Sequence, residues 1–427
     1  MRRSAHDLRH SLIGRPPILF SKNLELTVRI FYVTLCGIIL ASCSSTGGTS
    51  PVPASLPNGG APSLAPHVHG DHVVYAFMGG TDAAIPQTAL LAQNGDLYGT
   101  TPEGGTAGLG TVYKVSTSGS ESVLYSFQGT LDGAYPGTSL VALNGTLYGT
   151  TSGGNTPSNG TVYSVDPSGN VSTIYTFTGS PDGSTPVGLT VLNGQLYGTT
   201  ESGGVNGVGT VFKVSTSGSE SVLYSFKGTP DASNPTAALV AVHGALYGTS
   251  FEGGAGAGFG TVFKVSTSGK EHVIYAFQAN GSDGENPYAS VITVEGKLYG
   301  TTQEGGTSGK GTVFEVSTSG KEQVLHSFTG GADGSTPLGG LIAVNGALYG
   351  PTAFGGVYGG ACQQDPSGCG TIFKITTSGK KTTLYTFQGV PDGADPYATL
   401  IAVNKVLYGT TEGGGASNYG TVFKIKP

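Results

Sequence analysis

The chain has 427 residues, of which 74 are glycine, 37% are hydrophobic and only 11% are charged. Its formal net charge is −6, and the part beyond Cys43 contains 14 lysines, no arginine and 24 acidic residues, a net charge of −10. Because a nucleic-acid partner requires basic side chains against its phosphates, this composition argues against DNA and RNA as partners. Abundant glycine without a long helical period indicates short β-strands joined by turns.

The first 43 residues have the pattern of an export signal. Arg29 precedes an apolar run over residues 30–42, which is too short for an ordinary membrane span and ends in LAS before Cys43. This ending resembles the lipobox of bacterial lipoproteins, which implies that Cys43 carries a lipid anchor after cleavage. The alternative is an ordinary signal peptide, or an uncleaved anchor, in which Cys43 has no special role. We expect residues 1–43 to be a lipoprotein signal peptide.

Residues 44–70 follow the signal and are rich in Ser, Gly and Pro, which is typical of a flexible tether. At the end of this segment, His67, His69, Asp71 and His72 form an H-x-H-x-D-H motif, and imidazole is a good ligand for zinc and copper. Histidines of a linker are more often free in solution. We therefore expect no metal and no cofactor.

From His72 to the C-terminus, one unit of about 50 residues occurs seven times, and such a period indicates a propeller or a solenoid. In the sixth unit, LIAV at 341–344 predicts a strand, Asn345-Gly346 a two-residue type I′ turn, and ALYG at 347–350 the returning strand. A second hairpin follows in each unit, with the pattern GTVFKV, a turn built on Ser-Gly, and VLYSF. We name these four antiparallel strands a to d.

The two ends of the repeat region predict a closed ring. The segment 71–77, DHVVYAF, matches strand d, and the chain stops at 420–427, GTVFKIKP, which matches strand c. The N-terminal segment can therefore supply the outer strand that the last unit lacks, which hides two sheet edges. A solenoid would need distinct polar caps at its ends. Residues 71–427 are thus predicted to form an all-β, seven-bladed β-propeller with four antiparallel strands per blade.

The repeat also resembles known families. The order of an apolar strand, a turn, a strand ending in Gly and an aromatic hairpin is similar to kelch propeller repeats, although LYGTT stands where kelch repeats have a double glycine. A closer resemblance is to the bacterial choice-of-anchor GloVer tandem repeat, whose core reads LYGTT, GG, YGTVFK and LYSF, a pattern that all seven units match with small variations such as LYGTS and LYGPT. This resemblance implies a tandem-repeat propeller with variable anchors, and it implies no activity.

The long loops of each unit, from strand d to a and from b to c, are expected on one face, with any ligand site there or at the mouth of the central channel. Each d-to-a loop carries one aspartate, for which a turn role and calcium binding are the two interpretations. These are Asp82, Asp132, Asp182, Asp231, Asp283, Asp333 and Asp392. Glutamates beside the double glycine of the b-to-c loops are either solvated or bind cations or sugars. These are Glu103, Glu252, Glu304 and Glu412, which directly precede the double glycine, and Glu201, which is displaced by one residue.

One b-to-c loop, in the sixth unit, is longer than the others. It contains Cys362 and Cys369, which we expect to form a disulfide outside the cytoplasm. Because this loop departs from the repeat, its residues Phe354, Val357 and Tyr358 are the best candidates for a specific contact with a ligand.

Lysines recur in strand c and are predicted to be structural. Counting back across the STSG turn places them opposite glutamates of strand d, in cross-strand pairs that each contribute roughly 0.2 to 1 kcal/mol. The predicted pairs are Lys114–Glu121, Lys213–Glu220 and Lys264–Glu271.

The residues that break the repeat do not form a catalytic triad, a carboxylate pair or a metal triad that can be recognised by spacing. The sequence therefore predicts a non-catalytic, lipid-anchored binding or scaffold module for protein or glycan at the cell envelope. The alternative is an extracellular polysaccharide hydrolase or lyase that uses acidic residues at the channel mouth. We expect a monomer on the bacterial outer membrane or cell surface, with a secreted or periplasmic location as the alternative.

Overall fold

The structure is a computed structural model that describes residues 72–154, 159–166, 168–256, 258–278, 280–356, 362 and 367–427. The signal peptide, the tether and the H-x-H-x-D-H motif up to Asp71 lie outside these ranges. Within them, no helix is long and apolar enough to cross a membrane.

The described residues form 36 β-strands and one 3₁₀ helix, η1 (Gly331–Asp333). The strands up to residue 192 are β1 (Val73–Ala76), β2 (Ala83–Ala84), β3 (Leu91–Gln93), β4 (Asp96–Thr101), β5 (Glu103–Gly104), β6 (Thr111–Ser116), β7 (Glu121–Ser126), β8 (Val141–Leu143), β9 (Thr146–Thr151), β10 (Thr161–Val165), β11 (Val171–Thr176) and β12 (Gly183–Leu192). Those up to residue 327 are β13 (Gln195–Gly203), β14 (Thr210–Val214), β15 (Glu220–Ser225), β16 (Ala232–Ser233), β17 (Val240–Val242), β18 (Ala245–Ser250), β19 (Glu252–Gly253), β20 (Thr261–Ser266), β21 (Glu271–Ala276), β22 (Gly284–Glu285), β23 (Ile292–Val294), β24 (Lys297–Thr302), β25 (Glu304–Gly305), β26 (Thr312–Ser317) and β27 (Glu322–Ser327). The rest are β28 (Ile342–Val344), β29 (Ala347–Thr352), β30 (Thr371–Thr376), β31 (Lys381–Thr386), β32 (Gly393–Ala394), β33 (Ile401–Val403), β34 (Val406–Thr411), β35 (Gly413–Gly414) and β36 (Thr421–Ile425).

Seven four-stranded antiparallel sheets form the blades of a propeller, which confirms the predicted fold. Each sheet has the strand order a-b-c-d, and the a strands of neighbouring blades contact one another around the axis. Blades I to VII, each given from strand a to strand d, are β3-β4-β6-β7, β8-β9-β10-β11, β12-β13-β14-β15, β17-β18-β20-β21, β23-β24-β26-β27, β28-β29-β30-β31 and β33-β34-β36-β1. Short two-stranded sheets connect a d-to-a loop with the following b-to-c loop, as in β2-β5 and β32-β35.

Blade VII is completed by strands from opposite ends of the repeat region. Its outer strand β1 pairs antiparallel with β36, with Tyr75 opposite Val422 and Ala76 opposite Thr421. The amide of Lys424 donates a hydrogen bond of 2.7 Å to the backbone carbonyl of His72. This pairing confirms that the N-terminal strand closes the ring.

The tight turns between strands a and b have the predicted type I′ conformation. Asn345 and Gly346 both have positive φ angles, 50° and 76°, which gives the hairpin a twist that matches its strands. His243 and Glu295 adopt the same conformation at φ 47° and 51° where the sequence has no Asn. The turn position is therefore set by the two strands as well as by the Asn-Gly pair.

The turn between strands c and d contains one residue more than the sequence suggested. In blade I the Ser116 amide donates to the backbone carbonyl of Ser120 at 2.8 Å, and the Ser120 amide donates to Ser116 Oγ at 3.0 Å, while Gly119 lies in the left-handed region at φ 95°. A three-residue loop closed by a glycine of positive φ is a common hairpin connection. Its odd length moves the register of strand d by one residue.

This register contradicts the predicted lysine–glutamate pairs. The observed cross-strand partners are Lys114–Ser122, Lys213–Ser221 and Lys264–His272. The lysines instead lie beside the tyrosines of strand b: the Nζ atom of Lys264 is 5.4 Å from the ring centroid of Tyr247, and that of Lys374 is 5.3 Å from Tyr349. Lys264 and Lys374 thus make structural cation–π contacts, and Lys114 forms an ion pair with Asp96 of strand b at 3.5 Å rather than with Glu121.

Each interface between blades is sealed by an edge-to-face pair of aromatic rings. A phenylalanine that follows strand d packs on the strand c aromatic of the next blade, with ring centroids between 5.0 and 5.2 Å apart. The pairs are Phe77–Tyr113, Phe127–Tyr163, Phe177–Phe212, Phe226–Phe263, Phe277–Phe314, Phe328–Phe373 and Phe387–Phe423. The glycine of LYGTT lies under this ring, since a Cβ atom at Gly350 would stand 2.9 Å from Phe373.

Candidate functional site

The two threonines of LYGTT hold the blades together. The second threonine bonds to the first residue of strand c, as between the Oγ1 atoms of Thr411 and Thr421 at 2.8 Å, where both side chains are fully buried. The first threonine donates to a backbone carbonyl of the next blade, as from Thr410 Oγ1 to Thr88 O at 3.1 Å across the ring closure. LYGTT, the most regular motif of the repeat, therefore stabilises the fold.

The aspartates of the d-to-a loops are also structural. In the first of these loops, the Tyr75 hydroxyl donates to Asp82 Oδ2 at 3.0 Å and the Met78 amide donates to the same oxygen at 2.8 Å. All seven aspartates accept a backbone amide that precedes them by four or five residues, which closes the loop. In the part of the chain that the structure describes, no group of three or more His, Cys, Asp or Glu residues is arranged to hold a metal ion.

The a strands surround an open channel along the propeller axis. Their central residues are exposed although these strands are the innermost of each blade, as at Ala92, Ala142, Ala343 and Ala402. The lining is small and mostly apolar. Polar groups that could bind a ligand must therefore come from the loops at the ends of the channel.

Two positions of each unit differ from blade to blade at the end of the channel where the long loops lie. One follows the proline of the d-to-a loop and stands four residues before strand a, or within β12 in blade III: Gln87, Gly137, Val187, Thr236, Tyr288, Leu338 and Tyr397. The other directly follows LYGTT at the end of strand b: Pro102, Ser152, Glu201, Phe251, Gln303, Ala353 and Glu412. We call them the mouth positions. Because every blade has the same backbone fold, folding does not require different side chains at the mouth positions.

At the mouth positions, Tyr288 of blade V lies within electrostatic range of Glu201 in blade III and Glu412 in blade VII. Burial raises the pKa of the Tyr288 hydroxyl, and the carboxylates of Glu201 and Glu412 raise it further. These three blades are not neighbours in the ring, so the electrostatic effect of the two carboxylates on Tyr288 acts across the axis. Tyr288 keeps 43% of its surface exposed, as expected for a side chain that protein surrounds within a channel open to solvent.

Glu412 lies in a polar cluster with residues of blades VII and I. Burial raises the pKa of its carboxyl group to about 7, the neighbouring Glu103 raises it, and hydrogen bonds from Gln87 and Tyr397 lower it. Burial also raises the pKa of Glu103 and of Glu201. The mouth positions include no basic residue. The cluster thus combines carboxyl, amide and aromatic groups, and Glu412 is partly protonated near neutral pH.

The structure separates the loop glutamates into two classes that the sequence did not distinguish. Glu103, Glu252 and Glu304 begin the two-residue strands that pair with the d-to-a loops. In blade VII that position is held by Gly413, so Glu412 occupies the preceding position, equivalent to Glu201. Grouping Glu412 with Glu103 by its distance from the double glycine was therefore wrong. Aligning the units on LYGTT would have found the mouth positions.

The enlarged loop of blade VI is described in part. Phe354 is half-buried, and its backbone pairs with Ser335 at 2.9 and 3.1 Å, so it holds the strand position that Glu304 has in blade V. Cys362 and Cys369 are joined by a disulfide, with Cα atoms 5.7 Å apart, and both side chains are buried. Val357 and Tyr358 lie outside the described residues. The role of this loop in binding stays a prediction.

The repeat has a match among known protein families. The sequence model of the Gloeobacter/Verrucomicrobia repeat matches residues 58–192 and 188–361. A comparison with curated proteins finds no match.

Solved structures resemble the chain in fold. The WD40 β-propeller domain of Doa1 is 12% identical with a TM-score of 0.50, over 83% of this chain and 97% of that domain. A putative 6-phosphogluconolactonase from Bacteroides uniformis is 15% identical with a TM-score of 0.48, over 78% and 92% of the two chains. The tricorn protease is 11% identical with a TM-score of 0.38 over 76% of this chain, which spans only 27% of that protease. At these identities the similarity concerns the propeller fold alone.

Proposed function

The chain belongs to the Gloeobacter/Verrucomicrobia repeat family, and we propose that it is a binding module that receives a glycan at its channel mouth. The observation that carries the proposal is that Tyr288 lies within electrostatic range of both Glu201 and Glu412, which belong to two other blades. Ligand sites are typically concave, with a few convergent polar groups and aromatic walls. Carboxyl and amide groups bond to sugar hydroxyls, and tyrosine offers both an apolar face and a hydroxyl.

The shape of the site favours a glycan over a protein partner. The variable polar groups lie around a channel rather than across a broad surface, whereas a stable protein interface occupies about 800 Å² on each partner. A sugar chain presents one end or one stretch of residues to such a mouth. Binding to a protein is the alternative outcome of the test.

The test is a glycan array with the purified protein, followed by titration of any glycan that binds. We expect Glu412→Gln and Glu201→Gln to weaken binding about tenfold or more, since a hydrogen bond to a charged group contributes about 1.5 to 3 kcal/mol. Glu252→Gln is the matched control, because Glu252 is an exposed loop glutamate outside the mouth positions. Equal weakening in all three variants, or no glycan binding at all, would contradict the proposal.

A second candidate function is hydrolysis or elimination in an extracellular polysaccharide. It is favoured by the raised pKa of Glu412, about 7, beside the carboxyl group of Glu103, because a protonated acid near a second carboxyl group suits general acid–base catalysis. Incubating the protein with a glycan that it binds, and then analysing the glycan, distinguishes the two functions. New reducing ends or unsaturated sugars that disappear in Glu412→Gln would indicate an enzyme, and an unchanged glycan would indicate a binding module.

We also propose that Cys43 anchors the module in a membrane at the cell envelope. The apolar run that ends in LAS before this cysteine supports the proposal, and two or three acyl chains hold a protein far more firmly than one. In cells grown with a labelled fatty acid, we expect the wild type to carry the label and to sediment with membranes. Cys43→Ser should lose both properties. Membrane association that survives this change would indicate an uncleaved anchor instead.

A further inference from the structure

At four blade interfaces, a glutamate at the start of strand d lies within electrostatic range of an aspartate in the d-to-a loop of the preceding blade. In each pair the aspartate is close enough to disfavour the charged form of the glutamate. The pairs are Asp82–Glu121, Asp182–Glu220, Asp231–Glu271 and Asp283–Glu322. The observed register separates Glu121, Glu220 and Glu271 from the lysines of strand c, and strand c of the blade that contains Glu322 has Glu315 in place of that lysine, so no lysine of their own blade faces these glutamates in the ladder.

The aspartate of each pair is held as a hydrogen-bond acceptor. At the interface of blades III and IV, Asp231 Oδ2 accepts from the Tyr224 hydroxyl at 2.8 Å and from the Lys227 amide at 3.0 Å. Its Oδ1 accepts from the Ala232 amide at 2.8 Å. Because these donors favour the ionised form of a carboxyl group, a proton that enters the pair is held by the glutamate.

The glutamate of each pair lacks a partner for one oxygen. The Oε1 atoms of Glu121, Glu220, Glu271 and Glu322 are buried without a hydrogen bond. A buried carboxylate oxygen without a donor is costly, and more so beside a second carboxylate. Protonation removes the charge and turns the glutamate into a donor toward the aspartate.

Few other charged or titratable groups face these glutamates. Tyr75 and Tyr113 face Glu121, Tyr175 faces Glu220, and Tyr275 faces Glu322. Tyr224 and Lys227 face Glu271, beside a surface groove of about 350 Å³ through which the pair reaches solvent.

At a fifth interface, a lysine stands in place of the glutamate, and its positive charge balances the aspartate. In blade VI, Lys381 stands at the strand position of these glutamates, and its Nζ donates to Asp333 Oδ1 at 2.7 Å. Burial would raise the pKa of Asp333, but the hydrogen bond from Lys381 lowers it below its ordinary value. His326 replaces the usual tyrosine and contacts the same carboxylate at 3.1 Å. The ammonium group of Lys381 therefore neutralises the aspartate at this interface in the way that a proton on the glutamate would at the other four.

We propose that each of the four glutamate–aspartate pairs holds one shared proton between neighbouring blades, and that the ring becomes less stable when these protons leave in alkaline surroundings. The proton resides on the glutamate and is donated to the aspartate, so no other reactant is needed. The propeller is then a scaffold whose blade contacts respond to pH.

The raised pKa values of the four glutamates determine whether stability rises or falls with pH. Burial first, and the neighbouring aspartate second, raise the pKa to about 7 for Glu121, Glu220 and Glu322 and to about 8 for Glu271. A pKa raised in the folded state adds stability that is complete below the unfolded value, about 4.3, and that is lost as pH rises through the folded value. The unfolding equilibrium constant should therefore increase between about pH 5 and pH 8.5, up to about tenfold per pH unit for each proton held.

The experiment is urea unfolding of the full chain across this pH range. We expect the wild type to show the slope of at least one proton, and the variant that carries Glu121→Gln, Glu220→Gln, Glu271→Gln and Glu322→Gln to lose most of it. Glutamine is neutral and offers a donor, so this variant should match the wild type in acid and exceed it in alkali. Glu252→Gln, at an exposed loop, should leave the slope unchanged.

A second variant keeps the proposal testable if the fourfold change impairs folding. Glu271→Lys copies the Lys381 arrangement at the interface of blades III and IV, and should reduce the slope by about one proton. A slope that is the same in the wild type and in these variants would overturn the proposal.

Discussion

Two tyrosine hydroxyls are buried without partners in the aromatic pairs between blades. Tyr113 and Tyr163 stand where the other five blades have phenylalanine, and both are fully buried. Their hydroxyl oxygens make no hydrogen bond, and burial raises the pKa of each well above its ordinary value. A buried polar group without a partner costs about 1 to 3 kcal/mol.

We expect Tyr113→Phe and Tyr163→Phe each to increase the free energy of unfolding by about 1 kcal/mol, because they remove an unpaired hydroxyl and keep the ring. Thermal and urea unfolding measure the change. Tyr125→Phe is the control of opposite sign, since its hydroxyl donates to Asp132 at 2.9 Å and its loss should destabilise the protein. A decrease in stability in Tyr113→Phe would show that its hydroxyl has a partner.

At the scale of strands and hairpins, one of the two turns in each unit was predictable. The a-to-b turn was predicted because Asn-Gly at a two-residue loop has few alternatives. The c-to-d turn was misjudged by one residue, since Ser-Gly fits loops of several lengths and only the φ angle of Gly119, 95°, identifies the longer one. A further bulge between Val112 and Tyr113 shifts the ladder again. A one-residue error changes the face of every side chain, which is why the lysine–glutamate pairs failed.

The closing strand β1 gives a prediction at the same scale. Phe77 and Phe127 pack on the next blade in the same way, with centroids 5.0 and 5.1 Å from their partner rings, so alanine at either should cost about 3 to 5 kcal/mol. Phe77 is the special case because it follows β1, which only non-covalent contacts hold in blade VII. We expect Phe77→Ala to make residues 72–77 sensitive to protease well below the unfolding temperature. Phe127→Ala should leave that segment protected, and equal protection in both variants would contradict this role of β1.

At the scale of the whole molecule, the ring was predictable and the site was not. Seven equal units and a displaced outer strand led to a closed propeller, because a period is a property of the sequence itself. The electrostatic effect of Glu201 on Tyr288 across the axis depends on which blades face each other, and no local pattern of residues contains that information. The enlarged loop with Phe354 could be recognised from the sequence because its extra residues change the length of the unit. The mouth positions differ between units only in their side chains, so the repeat length does not reveal them.

The pairing of β1 with β36 has a consequence for the kinetics of folding. Most contacts of a blade join residues within one unit or neighbouring units, but His72 and Lys424 are 352 positions apart in the chain. The entropy cost of closing a loop grows with its length, and distant pairings form slowly. We therefore expect the blades to assemble early and in order along the chain, with closure as the last and slowest step, because it requires both β1 and β36.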